Sequence, residues 1–357
     1  MILPPLLVFF LDMLILIAIY LMVSISLNIE YGYTGIADFG KAGAVAVGAY
    51  VIGAIPGRLL MCFLAIKGDY IMDNTKVVAT INKFLEENVV LAAGILLLSL
   101  IIAAGTGAVF GFLASYPVAR LKGEHLAIFM LAIAEAIRYV AYSYAPLVGG
   151  PYGVTVPDPF RFLAGSYRVI GISIFIVAIS LGTFFYVEHL TKSPLGRTLK
   201  AIRDCDIAAE VFGKDVASYR MKIMVLSSAT AAVAGALYAF YVTYVSGVAY
   251  DRVDWTFWPW TMVVLGGMAN NKGVALGTLA FILIRRFIIF YKRELEPILP
   301  FDVVWLEYIL LGLTLILILM FKPEGLLPEK PIRTIDLRKY EEKQKEKQTR
   351  TNQSKPE

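Results

Sequence analysis

Almost everything that site chemistry in a soluble enzyme would require is scarce in this 357-residue chain. It has two cysteines, Cys62 and Cys205, and two histidines, His125 and His189, with no CxxC or HxxxH pair, so a His/Cys metal centre is not expected. No GxSxG elbow is present, and the two histidines fall in different polar stretches, which leaves no acid–base pair beside a nucleophile. No Lys or Arg precedes the first apolar run and no cleavage site follows it, so the N-terminus reads as a membrane span and not as a signal peptide. Charge is missing over long stretches: residues 169–187 and 223–250 contain no Asp, Glu, Lys or Arg. Each of those stretches is long enough to cross a bilayer.

The residues present fit that absence. At 58% hydrophobic and a mean hydropathy of +0.70, with the apolar residues in long runs, the chain is an integral helical membrane protein. The pattern predicts an all-α polytopic bundle of about nine spans, within a range of eight to ten. They are placed near 5–28, 42–60, 90–117, 125–145, 169–187, 223–247, 257–270, 273–291 and 303–321. The seventh is short and contains Gly266 and Gly267, so a bent or incomplete helix is expected there. Nine crossings put the termini on opposite sides, with the charged loop at about 188–222 and the C-terminal tail on one side. The density of Lys and Arg in that loop assigns this side to the cytoplasm. Cys62 and Cys205 then face opposite sides and form no disulfide.

The two basic regions differ in kind. The loop 188–222 holds seven Lys/Arg and five Asp/Glu, interleaved with Leu199, Ile202, Ala208, Ala209, Val211 and Phe212 in a helical pattern. It offers a helical surface to something soluble. The tail at 328–357 is polar, mixed in charge and poor in aromatics, so disorder or a short solvated helix is expected, with no nucleic-acid role.

Two segments interrupt the plain apolar helices. One is Tyr31 to Gly43, with Gly35, Asp38 and Gly40; the other is Val263 to Gly273, with Gly266 and Gly267. Glycines and polar groups joining apolar segments are expected where helices break around a pathway. One break in each half hints at two related halves. The run Gly35 to Ala42 nearly spells a phosphate-binding P-loop, but Ala42 lacks the hydroxyl for magnesium and no βαβ unit surrounds it. This chain is not expected to bind nucleotide or any other cofactor, so ATP-driven work would require a separate subunit.

Within the fourth span, Glu135 and Arg138 share a helix face three residues apart and can pair as an intramembrane ion pair. Asp12 lies near the outer end of its span, and Arg285 and Arg286 are expected to reach outward to the interface. Small residues recur at four-residue spacing at Ala231, Gly235 and Ala239, at Gly107 and Gly111, and at Gly273 and Gly277, the pattern of closely packed membrane helices.

Six blocks carry a resemblance: Leu27 to Tyr50, Leu121 to Arg138, Gly149 to Val154, Ser193 to Gly213, Val264 to Met268, and Phe321 to Leu327. In this order they resemble the permeases of branched-chain amino-acid ABC transporters, LivM-type. Asp38 and Lys41 depart from the Ser and His usual there, and Ala269 to Lys272 replace a Gly-Ser run. The resemblance implies a multi-pass permease, not an enzyme, in the plasma membrane of a prokaryotic cell. Its partners would be a second permease subunit in a heterodimer, two cytoplasmic ATPase subunits and an extracytoplasmic binding protein, within membrane lipid. The departures leave the cargo open between hydrophobic amino acids and urea, short amides or a sugar. A stand-alone ion-coupled carrier or channel using Glu135, Arg138 and Asp38 is the alternative from another class. On the resemblance, Gly196, Arg197, Arg203, Ala208, Ala209, Glu210 and Gly213 are candidates for contact with an ATPase.

Overall fold

The computed structural model describes residues 4–121, 123–163, 165–296 and 302–329. The C-terminal tail beyond Glu329, for which disorder is expected, lies outside the described residues. Seven helices in the described residues are long and apolar enough to cross a membrane. In chain order, α1 (Pro5–Asn28) runs into a π-helical turn (Ile29–Tyr33), and α2 (Lys41–Ala54) continues into α3 (Pro56–Phe63). Next come α4 (Asn74–Glu87), α5 (Val89–Arg120), α6 (Gly123–Ser143), the single turn α7 (Ala145–Val148) and strand β1 (Val154–Thr155). α8 (Ser166–Lys192) leads through α9 (Pro194–Asp204) and α10 (Asp206–Val211) to α11 (Val216–Val242) and β2 (Tyr244–Val245). A second π-turn (Val253–Phe257) opens α12 (Trp258–Gly266), and α13 (Asn271–Phe290), α14 (Lys292–Leu295) and α15 (Val303–Phe321) follow.

The seventh span, placed at 257–270, is the short and incomplete helix expected there. α12 has nine residues and stops at Gly266, because Gly267 takes φ +111° and a Cβ there would overlap the carbonyl of Leu327. A side chain would block that approach, and glycine permits both the backbone angle and the contact. α15 is an apolar helix of nineteen residues and completes the expected order.

α11 is the centre of the bundle. Its span is 67% buried within the chain, against 22% for α6 and α8, so α11 packs on protein while α6 and α8 present most of their surface outward. The small residues set its neighbours. A Cβ at Gly48 of α2 would overlap the carbonyl of Ala232, and one at Gly235 would overlap that of Val45, so α2 and α11 cross with their backbones touching; both run from the loop end, where Lys41 meets Ser227, to the strand end, where Gly53 meets Val245. Gly107 and Gly111 of α5 meet Ala232, Ser228 and Met224 of α11 in the same way. Without hydrophobic driving force between helices in lipid, this close van der Waals approach is what joins them. α1 runs along α11 as well, through Ser227 Oγ donating to Ser26 O at 2.7 Å and Tyr241 Oη donating to Asp12 Oδ1 at 2.9 Å.

The two ends of the bundle differ. At one end β1 and β2 pair antiparallel, Val154 opposite Val245, and α4 closes on them through Asn74, whose amide bonds both N and O of Thr155. Burial of Tyr70 in this cap pushes its phenol up to about 12, against the lowering pull of Arg58, whose guanidinium lies 5.2 Å from the ring. At the other end lie α9, α10 and the start of the tail. Lys200 and Arg203 reach Glu329 at 2.6 and 2.9 Å, so the central loop and the tail share one end as expected. Cys62 and Cys205 are both free.

Candidate functional site

The loop end is built on α9. Leu199 and Ile202 are buried one turn apart while Arg197 is exposed, as expected for an amphipathic helix lying on a surface. Ser193 caps it, its hydroxyl accepting from Leu195 N at 3.2 Å. Gly196 is buried, and a Cβ there would overlap the carbonyl of Thr191, so its bareness serves the elbow between α8 and α9 within this chain. Arg203 also turns inward. Its Nη1 donates to Gly32 O at 2.7 Å and to Glu329 Oε2 at 2.9 Å, and Asp204 accepts its Nε at 3.0 Å. Burial pulls its pKa down, but the bonds to Glu329 and Asp204 more than offset this and leave it above its ordinary value.

α10 divides its residues between two faces. Ala209 is buried against Ile202 and Val216, whereas Ala208 and Glu210 are exposed. Ile207 (68% exposed), Val211 (80%) and Phe212 (82%) form with Ala208 an outward apolar stripe at helical spacing. Gly213 ends the element at φ +76°. Ile207 was not singled out by sequence reasoning; the signal was its place one turn before Val211.

The two interruptions meet beside this loop. Asn28 Oδ1 accepts from Ala269 N at 3.0 Å and its Nδ2 donates to Asn271 Oδ1 at 2.9 Å, tying the end of α1 to the turn between α12 and α13. Gly32 lies against the Ala269 backbone and Gly266 against Gly273. Gly35, at φ +72°, is exposed beside Arg203. A cavity of about 910 Å³ opens here, lined by Tyr31, Gly35, Arg203, Met268, Glu324 and Glu329 among others.

Deeper in, the link 34–40 closes over a charge cluster. Lys41 Nζ lies 2.6 Å from Glu30 Oε2, 2.7 Å from Ser227 Oγ and 3.4 Å from Asp38 Oδ2, and all of these side chains are buried. Asp38 Oδ1 also accepts from Gly40 N at 2.7 Å. Gly40 packs on the carbonyl of Met130 in α6, leaving no room for a Cβ. The partnership of Glu30 with Lys41 was missed from sequence, although they are opposite charges flanking a glycine-rich break. Glu135 and Arg138 do pair on α6, as their spacing predicts, with Arg138 Nε donating to Glu135 Oε1 at 3.1 Å. Arg285 does not reach outward. It lies 3.3 Å from the ring of Trp258 and donates to Glu307 of α15 at 2.9 Å.

Among the described residues no group of His, Cys, Asp and Glu could hold a metal ion. The arrangement comprises a bundle with a buried charged joint, two broken helices and an apolar stripe on one end. Such parts can transmit motion.

The profile of a family described as "Branched-chain amino acid transport system / permease component" matches residues 9–319. The chain is 41% identical over 323 residues to a probable branched-chain amino acid transport permease protein LivM of Methanocaldococcus jannaschii, covering 90% of this chain and 94% of that one. It is 25% identical to the high-affinity LivM permease proteins of Escherichia coli (89% of this chain, 69% of that one) and Salmonella typhimurium (87% and 68%). No solved structure matches it. The chain is a multi-pass membrane protein and belongs to the family of branched-chain amino acid transport system permease components.

Proposed function

We propose that this chain is a permease subunit of an ABC importer that moves branched-chain or other hydrophobic amino acids inward. A second permease subunit completes the path, two cytoplasmic ATPase subunits hydrolyse ATP, and an extracytoplasmic binding protein delivers the cargo. The names of the relatives support the cargo and the transport role. The outward stripe of Ile207, Ala208, Val211 and Phe212 is the observation that carries the coupling reading. Apolar side chains exposed on a charged membrane-protein loop are stabilised by a partner that covers them.

In this reading α9 and α10 are the handle on which the ATPases act. Gly196 and Arg203 keep the handle rigid against α8, Gly32 and Glu329, and Arg197, Glu210 and Gly213 edge the contact. Closure of the ATPases then moves the loop end, and the broken helices pass the motion inward.

The test is uptake by the reconstituted complex with labelled leucine, isoleucine, valine and urea. ATP-dependent leucine uptake that vanishes in Phe212→Glu, with insertion of the subunit intact, is the expected result. Uptake by this chain alone that follows a proton or sodium gradient would replace the reading with an ion-coupled carrier.

A further inference from the structure

Four aromatic rings form a chain of contacts that begins at the cavity at the loop end. The ring of Tyr31, which lines that cavity, lies 4.4 Å from that of Trp260. Trp260 stacks on Phe39 at 4.5 Å and 18°, and Phe39 meets Phe257 edge-on at 6.3 Å. Trp260 is 9% exposed, while Tyr31, Phe39 and Phe257 are only half-buried. Tyr31 and Phe39 pack on the buried cluster around Trp260 and Val263 yet each keeps an open face, unlike Trp255 and Trp258 at 2%.

The backbone under these rings is the least regular in the bundle. Tyr31 belongs to the first π-turn, Phe39 to the link between that turn and α2, and Phe257 to the second π-turn. π-turns and broken helices are where membrane helices deform. The backbone around Phe39 is held from both sides, which leaves its ring as the part that can turn: Trp260 Nε1 donates to Asp38 O at 3.0 Å, and the Lys41–Glu30 pair fixes the start of α2 to the end of α1.

We infer that the Tyr31–Trp260–Phe39 stack is the hydrophobic gate of the transport path in this subunit, and that the Phe39 ring, turning on a fixed backbone, is its moving leaf and selects the cargo. The inference rests on the permease reading. A constriction of rings is emptied of water and raises a barrier to every charged group; all amino acids meet it with their ammonium and carboxylate, and a charged side chain adds to that barrier where an aliphatic one adds nothing. Aliphatic amino acids would therefore pass and amino acids with charged side chains would be held back. Motion of α9 reaches the gate directly, because Arg203 is bonded to Gly32, the residue next to Tyr31.

The test uses the full complex in liposomes, in a Cys62→Ser/Cys205→Ser background carrying Phe257→Cys, a thiol on the far side of Phe39 from the cavity. A membrane-impermeant thiol reagent applied from the loop end is expected to leave this thiol unmodified while Phe39 is present. Modification is expected several-fold faster in Phe39→Ala and in Tyr31→Ala, and unchanged in Phe39→Leu, which restores an apolar plug. In parallel, without Phe257→Cys, Phe39→Ala is expected to leak leucine down its gradient without ATP and to admit lysine. Equal labelling with and without Phe39 overturns the gate, even if the wild-type complex imports leucine. Labelling that depends on Phe39, in a complex that imports urea and no amino acid, keeps the gate and overturns the cargo.

Discussion

Lys41 and Glu30 form an ion pair at 2.6 Å with neither side chain exposed to any degree, and it joins the start of α2 to the turn that ends α1. Taking two charges out of water is costly, and the pair persists because Ser227 and Asp38 complete the shell around the ammonium. The pair does not hold the fold by its net strength. Its role is to make any other arrangement of the link 34–40 expensive.

Removing one partner should therefore hurt more than removing both. Lys41→Met leaves Glu30 buried and unpaired, and a loss of about 3–5 kcal/mol is expected. The double variant Lys41→Met/Glu30→Gln should recover much of it. Thermal unfolding of the purified subunit in detergent measures both; equal destabilisation of the single and double variants would refute the pairing.

The seam between α2 and α11 gives a second expectation. Gly48→Ala places a methyl group on the carbonyl of Ala232 and should lower the unfolding temperature. Gly94→Ala, on α5 with open space around it, should leave that temperature unchanged or raise it slightly. Equal effects at the two sites would mean that α2 and α11 do not touch as described.

On α10 the contrast lies between neighbours. Ala209→Glu buries a carboxylate against Ile202 and Val216 and is expected to cost about 1–3 kcal/mol locally, seen as faster proteolysis within the loop. Ala208→Glu faces outward and should leave proteolysis unchanged while abolishing ATP-dependent uptake. If instead Ala208→Glu is the variant that is cleaved, the two faces of α10 are reversed.

Topology can be read by labelling. Single cysteines at Tyr152 (89% exposed) and Val211 (80%), with Cys62 and Cys205 replaced, lie at opposite ends of the bundle. Tyr152→Cys should react in intact cells and Val211→Cys only after permeabilisation. Reaction of Val211→Cys from outside would invert the chain and remove the cytoplasmic ATPases as its partners.

The long uncharged runs and the small-residue spacings made the bundle and its closest seams legible before any coordinates. Gly107, Gly111, Gly235 and Gly277 all prove to be close contacts between helices. What escaped depended on partners distant in sequence. Arg285 looked like an interfacial residue because nothing nearby could show Trp258 beneath it and Glu307 beside it. The shortness of α12 was only partly visible, since Gly267 signals a break but not the carbonyl of Leu327 that demands it. Ala209 was grouped with Ala208 and Val211, because six residues of helix carry too little periodicity to tell an inner from an outer face.

The glycine seams of α11 also bear on where this molecule can bend. Side chains between helices act as a lubricant, since rotamer changes allow one helix to slide over another. Where backbone lies directly on backbone, as at Gly48 with Ala232 and Gly107 with Ser228, there is nothing to re-pack. α2, α5 and α11 therefore form a keel that turns as one piece. An alternating cycle in such a body has to be carried by the joints at its rim.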